Sequence, residues 1–148
     1  MELKNKKQNN IYTKLVGYFT KNGKKNRSTS IIIKALTNAS ISLDDKSMEI
    51  LQKVAYYLGV VVEIRSVRIR RNVHTVPVPV NASRRNYLIV QKLSKVLNAS
   101  GDSRISTEAK LTQELLGLLK SKTSKSVAER DLVLVQAEKN KSNTHYRW

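Results

Sequence analysis

The chain has 148 residues, and its 28 Lys and Arg against 11 Asp and Glu give a formal net charge of +17. Self-repulsion on that scale destabilises a compact state and calls for an acidic partner: nucleic acid, an anionic membrane or an acidic protein. There is no cysteine, which excludes disulfides, thiol catalysis and cysteine-based zinc sites.

Residues 1–10 hold Lys4, Lys6 and Lys7 with three asparagines and no apolar period, and they read as a flexible basic tail ahead of a single domain over residues 11–148. Ile11, Leu15, Val16 and Phe19 then share one helical face. Asn22-Gly23 ends this first helix, glycine being suited to the left-handed position after a helix. A second helix is expected from about Ser28, carrying Ile32, Ala35, Leu36 and Ala39. Asp44-Asp45 would open a third, where acidic residues favour the positive end of the helix dipole. That helix buries Met48, Leu51, Val54, Ala55 and Leu58 and stops at Gly59.

Residues 62–80 break the helical series. Two β-branched runs, Val62-Glu63-Ile64-Arg65-Ser66-Val67-Arg68-Ile69 and Val76-Pro77-Val78-Pro79-Val80, flank a polar turn and read as a two-stranded ribbon. The prolines keep the second run out of a larger sheet. The apolar phase slips near Ser66, and a β-bulge is the expected cause. A free-standing ribbon is only marginally stable, so this one is expected to be mobile until a polyanion orders it. Helical periodicity resumes after Asn81 with Ile89, Leu93, Val96 and Leu97, and breaks again at residues 99–102. A fifth helix over residues 105–119 turns Ala109, Thr112, Leu115, Leu116 and Leu119 inward. After a Ser-Lys loop at residues 121–126, a sixth carries Val127, Leu134 and Ala137, and residues 143–148 form a tail. The fold expected is mainly α: a six-helix, bundle-like domain with a two-stranded β-hairpin protruding between the third and fourth helices.

Enzyme chemistry finds no foothold. His74 and His145 lie in different regions with no nucleophile pairing, and no spacing of ligands suggests a metal. Asn22-Gly23-Lys24-Lys25 lacks the upstream glycine and the following Ser/Thr of a phosphate loop. No cofactor is expected. No apolar run approaches the roughly 18 residues of a membrane span, and the arginines gather on a ribbon rather than an amphipathic helix. No secretory leader is expected either.

The basic clusters carry the functional signal. Residues 1–30 hold eight Lys and Arg against Glu2, and residues 62–85 hold Arg65, Arg68, Arg70, Arg71, Arg84 and Arg85 against Glu63. Arginine makes planar paired contacts to phosphate that lysine cannot, so the ribbon points to nucleic acid. No helix-turn-helix, zinc finger or basic zipper is visible. Aromatic residues are 5% of the chain, too few for a base-stacking sheet. What remains is recognition by shape and backbone charge, as for structured RNA.

Four stretches carry a family resemblance: Lys14-Leu15-Val16 through Asn22-Gly23-Lys24-Lys25; Ile33-Lys34-Ala35-Leu36; Val62-Glu63-Ile64-Arg65-Ser66 through Val76-Pro77-Val78 and Arg84-Arg85-Asn86; and the terminus His145-Tyr146-Arg147-Trp148, with Asn140-Lys141 before it. In this order they resemble the universal S-seven family of small-subunit ribosomal proteins. The resemblance implies binding to the 3′ major (head) domain of small-subunit rRNA, nucleation of head assembly, a hairpin near mRNA and the exit-site tRNA, and neighbouring ribosomal proteins as partners. With the charge pattern, it makes Lys4, Lys6, Lys7, Lys21, Lys24, Lys25, Arg27, Arg65, Arg68, Arg70, Arg71, Arg84, Arg85, Lys122, Lys125, Arg130, Lys141, Tyr146, Arg147 and Trp148 the candidate RNA-binding residues.

Two departures stand out. Arg70-Arg71 replaces the family's Gly-Gly at the bend, so a different turn type or length is expected, since arginine takes positive φ less readily. The basic stretch that opens the family's last helix is reduced to Lys125 and Arg130. Heavy use of Lys, Asn, Ile and Ser suggests an AT-rich genome, and a mitochondrial ribosome is the expected location, with plastid or bacterial cytoplasm as alternatives. The competing function is a stand-alone histone-like or RNA-chaperone protein.

Overall fold

The computed structural model describes the backbone of residues 2–99 and 104–147, and side chains within residues 11–97 and 104–147. Helix α1 spans Glu2–Phe19 and is continuous across the expected boundary between tail and domain at residue 10. Apolar periodicity cannot see this segment, yet Glu2, Leu3, Lys4, Lys6, Lys7 and Gln8 are all good helix formers. Asn22 (φ 53°) and Gly23 (φ 72°) make the left-handed turn out of α1. Helix α2, Lys25–Leu43, starts three residues before the expected Ser28 and buries Ile32, Ala35, Leu36 and Ala39 as read.

Asp44 does not open the third helix. It closes α2 in the left-handed conformation at φ 56°, a role its short polar side chain tolerates. Asp45 instead receives Lys53 Nζ at 2.6 Å. Helix α3, Ser47–Leu58, buries Ile50, Leu51, Val54 and Leu58, while Met48 is left 40% exposed. Its end at Gly59 is steric rather than conformational. The φ there is an ordinary −66°, but a Cβ would sit 2.6 Å from the Ala55 carbonyl oxygen.

Strands β1 (Val62–Ile69) and β2 (Asn72–Pro79) pair antiparallel between α3 and α4, where the protruding hairpin was expected. The register runs one to one from Val62 opposite Pro79 to Ile69 opposite Asn72, so there is no bulge at Ser66. The apparent phase slip arises because the two faces exchange character along the ribbon. One face carries Val62 and Ile64 near the base and Arg68 further out; the other carries Glu63 and Arg65 near the base, then Val67 and Ile69. The bend is two residues long, with Arg70 at φ 54° and no positive φ at Arg71.

Helix α4, Ala82–Ala99, buries Ile89, Val90, Leu93, Val96 and Leu97. The break expected at residues 99–102 lies mostly outside the described residues. Helix α5, Thr107–Leu116, is capped by Ser106, whose side chain accepts from the Ala109 amide, and passes into a π-turn over Gly117–Ser121. Its buried stripe is Leu111, Leu115 and Leu118, whereas Ala109 is exposed. Helix α6, Lys125–Lys139, begins with Ser126 fully buried. There Glu114 of α5 accepts both the Ser126 amide (2.9 Å) and its hydroxyl (2.7 Å), satisfying donors that a helix start leaves unpaired. Leu134, expected inside, is 39% exposed. A 3-10 helix, Lys141–Tyr146, follows. The core joins α1 through α5, with Val127 of α6 packed against its edge.

Candidate nucleic-acid interface

The hairpin base is an ion-paired junction. Glu63 on β1 accepts Arg84 of α4 through two bonds, Nε at 3.0 Å and Nη2 at 2.8 Å, and Arg65 Nε approaches it at 3.6 Å. This fork geometry is the strong form of the arginine–carboxylate contact. The Arg84 hydrogen bond holds the Glu63 carboxyl below its ordinary range, against a partial opposing effect of burial. Arg84 also lies 4.9 Å over the ring of Tyr87, and Tyr87 meets Tyr18 of α1 edge to face at 6.4 Å. One turn earlier Lys14 Nζ reaches the Ser83 carbonyl at 2.5 Å and its hydroxyl at 3.1 Å. Contacts 14 to 83 and 18 to 87 advance together, so α1 runs parallel to α4 and ties the ribbon's exit to the body.

Arg85 points elsewhere. Its stem passes Gly59, where the Cδ lies 3.5 Å from the position a Cβ would take, and its Nε is buried with no hydrogen-bond partner among the described residues. Further out, Arg68, Arg70 and Arg71 are exposed, and no ion pair among the described residues involves any of them.

The other candidates fall into four groups. Lys21, Lys24, Lys25 and Arg27 are exposed together on the left-handed turn after α1. Lys122, Lys125, Lys141 and Arg147 are exposed, while Tyr146 is half-buried against His74, ring centroids 4.8 Å apart. Arg130 stands apart from these. It donates to the Tyr57 carbonyl at 2.6 Å and pairs with Asp131 at 2.6 Å, so it caps the C-terminal end of α3 from α6 and faces the protein. The side chains of Lys4, Lys6, Lys7 and Trp148 lie outside the described residues. The reading of the sequence missed Lys14, Tyr18 and Tyr87. Tyr87, three residues after Arg84 on one helix, carried a usable signal; the α1 contacts did not.

Lys92 of α4 is 8% exposed, and its Nζ finds no partner among the described residues. Burial, reinforced by nearby Arg130, lowers its ammonium to about 8 despite Glu129 and Asp131. Glu129 is taken by Lys95 at 2.8 Å. Among the described residues no group of three or more His, Cys, Asp or Glu gathers as a metal site, and no helix is long and apolar enough to cross a membrane.

This arrangement gathers exposed cations that can neutralise phosphates on the hairpin and on the turn after α1. The family model described as ribosomal protein S7p/S5e matches residues 1–141. The small ribosomal subunit protein uS7 of Wigglesworthia glossinidia brevipalpis is 31% identical, the match covering 93% of this chain and 86% of that protein. The uS7 of Buchnera aphidicola is 32% identical over the same shares, and that of Roseobacter denitrificans 28%. A helical body with a two-stranded hairpin between α3 and α4, basic at base and tip, and a sequence match over nearly the whole length lead to one assignment: the chain belongs to the ribosomal protein S7p/S5e family.

Proposed function

We propose that this chain, a structural protein of the small ribosomal subunit, binds the 3′ major (head) domain of the subunit's rRNA and nucleates assembly of the head, with its hairpin lying beside mRNA and the exit-site tRNA. The observation that carries the reading is the distribution of arginine on the hairpin. Arg68, Arg70 and Arg71 are exposed and have no acidic partner among the described residues, while Arg65 and Arg84 share a single carboxylate, Glu63. Such an excess of guanidinium favours polyanion contact. The basic turn at Lys21, Lys24, Lys25 and Arg27 offers a second phosphate-binding surface just beyond the C-terminal end of α1.

Residues near the base anchor the protein, and the tip meets the moving ligands. The compartment we infer is a mitochondrial ribosome, in keeping with the heavy use of Lys, Asn, Ile and Ser; the bacterial source of the similar uS7 proteins keeps a bacterial ribosome as the alternative. The deciding experiment is particle occupancy, measured by mass spectrometry of purified small subunits. Arg65→Glu with Arg84→Glu should deplete the protein from particles, while Arg70→Gly with Arg71→Gly should leave occupancy largely intact and alter tRNA or mRNA handling. Equal loss of both variants would overturn the division of labour. Failure of the wild-type chain to co-sediment with subunits would favour a stand-alone nucleic-acid-binding protein.

A further inference from the structure

The end of the chain crosses the outer edge of the hairpin midway along β2, and three of its side chains touch three different sides of that strand. Asn140, the last residue before the 3-10 helix, accepts the Thr75 hydroxyl on Oδ1 at 2.6 Å. Its Nδ2 is turned back onto the Gln136 carbonyl at 2.8 Å, which fixes the amide so that the oxygen faces the strand. Asn143 donates from Nδ2 to the Thr75 backbone carbonyl at 3.1 Å. Tyr146 lies against the His74 ring at 4.8 Å. Successive strand residues point to opposite faces, so Asn140 and Tyr146 grip opposite faces of β2 while Asn143 holds the edge between them.

The local geometry explains how three residues at a spacing of three can do this. A 3-10 helix has three residues per turn, and side chains at i and i+3 eclipse. Over Lys141–Tyr146, positions 140, 143 and 146 therefore form one row that lies across the strand. An α-helix would turn Asn143 and Tyr146 progressively away. The strand presents a suitable edge. Thr75 shares its parity with Pro77 and Pro79, which sit opposite Ile64 and Val62, whereas the ladder bond from the Val80 amide to the Val61 carbonyl at 2.8 Å belongs to the alternate parity. The missing proline N–H groups thus fall on the outer edge, and the Thr75 carbonyl there is met by Asn143.

We propose that Asn140, Asn143 and Tyr146 form a clasp that sets the angle of the hairpin to the helical body, making them positioning residues for the hairpin's role. The clasp serves the RNA-binding reading above but does not depend on it. It acts in the free protein, so the hairpin stands preset before any RNA is met, contrary to the mobility expected of a free-standing ribbon.

Because the chain has no cysteine, a pair of engineered cysteines can carry spin labels at the tip and on the body. Arg71→Cys and Asn38→Cys place them at two exposed sites. Pulsed electron spin resonance on the free full-length protein should give a narrow distance distribution, and Asn143→Ala combined with Thr75→Val should widen it roughly two-fold, as expected when a local unit is released without global unfolding. Tyr146→Ala alone should widen it less. Circular dichroism should show helical content unchanged, because the core contains none of these residues. An unchanged distribution in the combined variant would overturn the proposal. So would loss of helical content, which would make these residues part of the fold rather than a clasp on it. Neither result bears on whether the wild-type chain enters subunits.

Discussion

The base and the tip of the hairpin carry the same residue type in two different states. At the base, Arg84 forks onto Glu63, Arg65 shares that carboxylate, and Val76 and Pro77 are buried on opposite faces of β2. At the tip, Arg70 and Arg71 are exposed, and the first of them holds a left-handed backbone that suits glycine better. An arginine at the base is partly spent on holding the protein together, and one at the tip is free for an external anion. Counting guanidinium groups would treat them alike; the neighbouring carboxylate separates them.

The largest effect should come from salt. If roughly six to ten phosphates are contacted, affinity for head-domain rRNA fragments should fall on the order of 10³- to 10⁵-fold between about 50 and 200 mM salt. Arg70→Ala with Arg71→Ala should reduce the slope of the log–log plot by about 2, one for each phosphate no longer neutralised. A flat wild-type plot would remove the electrostatic basis of both ends, and an unchanged slope in the variant would show that the tip touches no phosphate.

Next in size is the junction where α3 gives way to the ribbon. Gly59→Ala drives a methyl to 2.6 Å from a backbone oxygen, which a flexible side chain cannot relieve. Chemical denaturation should show a loss of about 1–3 kcal/mol, and the displaced Arg85 stem should weaken RNA binding as well. A neutral result would mean that the base yields as readily as the tip.

Lys92 tests the contact of α4 with α6 beyond the base. Its buried ammonium should cost stability in full below its folded pKa of about 8, and the cost should vanish as pH rises toward the ordinary value of 10.5. The unfolded chain binds more protons across that window, so stability rises with pH there. Lys92→Met should stabilise the protein by about 1–2 kcal/mol at neutral pH, an advantage that disappears by the top of the window. A pH-independent gain would assign the effect to packing instead.

The smallest pair of effects separates base from tip most directly. Glu63 has its pKa lowered by Arg84, so the pairing contributes stability above the ordinary carboxylate range and loses it as pH falls through the lowered folded value. Glu63→Gln should cost up to about 1 kcal/mol near pH 7 and nothing in strong acid. Arg70→Gly should do the reverse in sign, relieving the left-handed strain and stabilising the hairpin by about 1 kcal/mol. Thermal unfolding of the two single variants reads both.

Much of the framework was legible because burial leaves a period in the sequence. Ile32, Ala35, Leu36 and Ala39 on α2, and Ile89, Leu93, Val96 and Leu97 on α4, are buried as their spacing requires. Alternating β-branched residues, paired prolines and a polar bend likewise placed the hairpin. Period alone also placed Met48, Ala109 and Leu134 inside, and all three are exposed; the other misreadings fell where the signal was not periodic. Residues 2–10 are helical without an apolar stripe. Asp44 ends a helix rather than starting one, since an acidic residue suits either place. The phase slip at Ser66 reflects the two faces exchanging environments, which a strand seen alone cannot distinguish from a bulge.

By itself, then, the sequence determined the helical body, the position of the ribbon, the basic character of the surface and the family, because hydrophobic period, turn chemistry, net charge and motif order are local or additive properties. Only the tertiary structure decided which cations are free. Arg130 turned onto the Tyr57 carbonyl, Arg84 forked onto Glu63, Lys92 was buried with no partner among the described residues, and Asn140, Asn143 and Tyr146 closed around β2 from 65 or more residues away in the chain. Such pairings depend on which helix lies beside which strand, and no spacing along the chain encodes them.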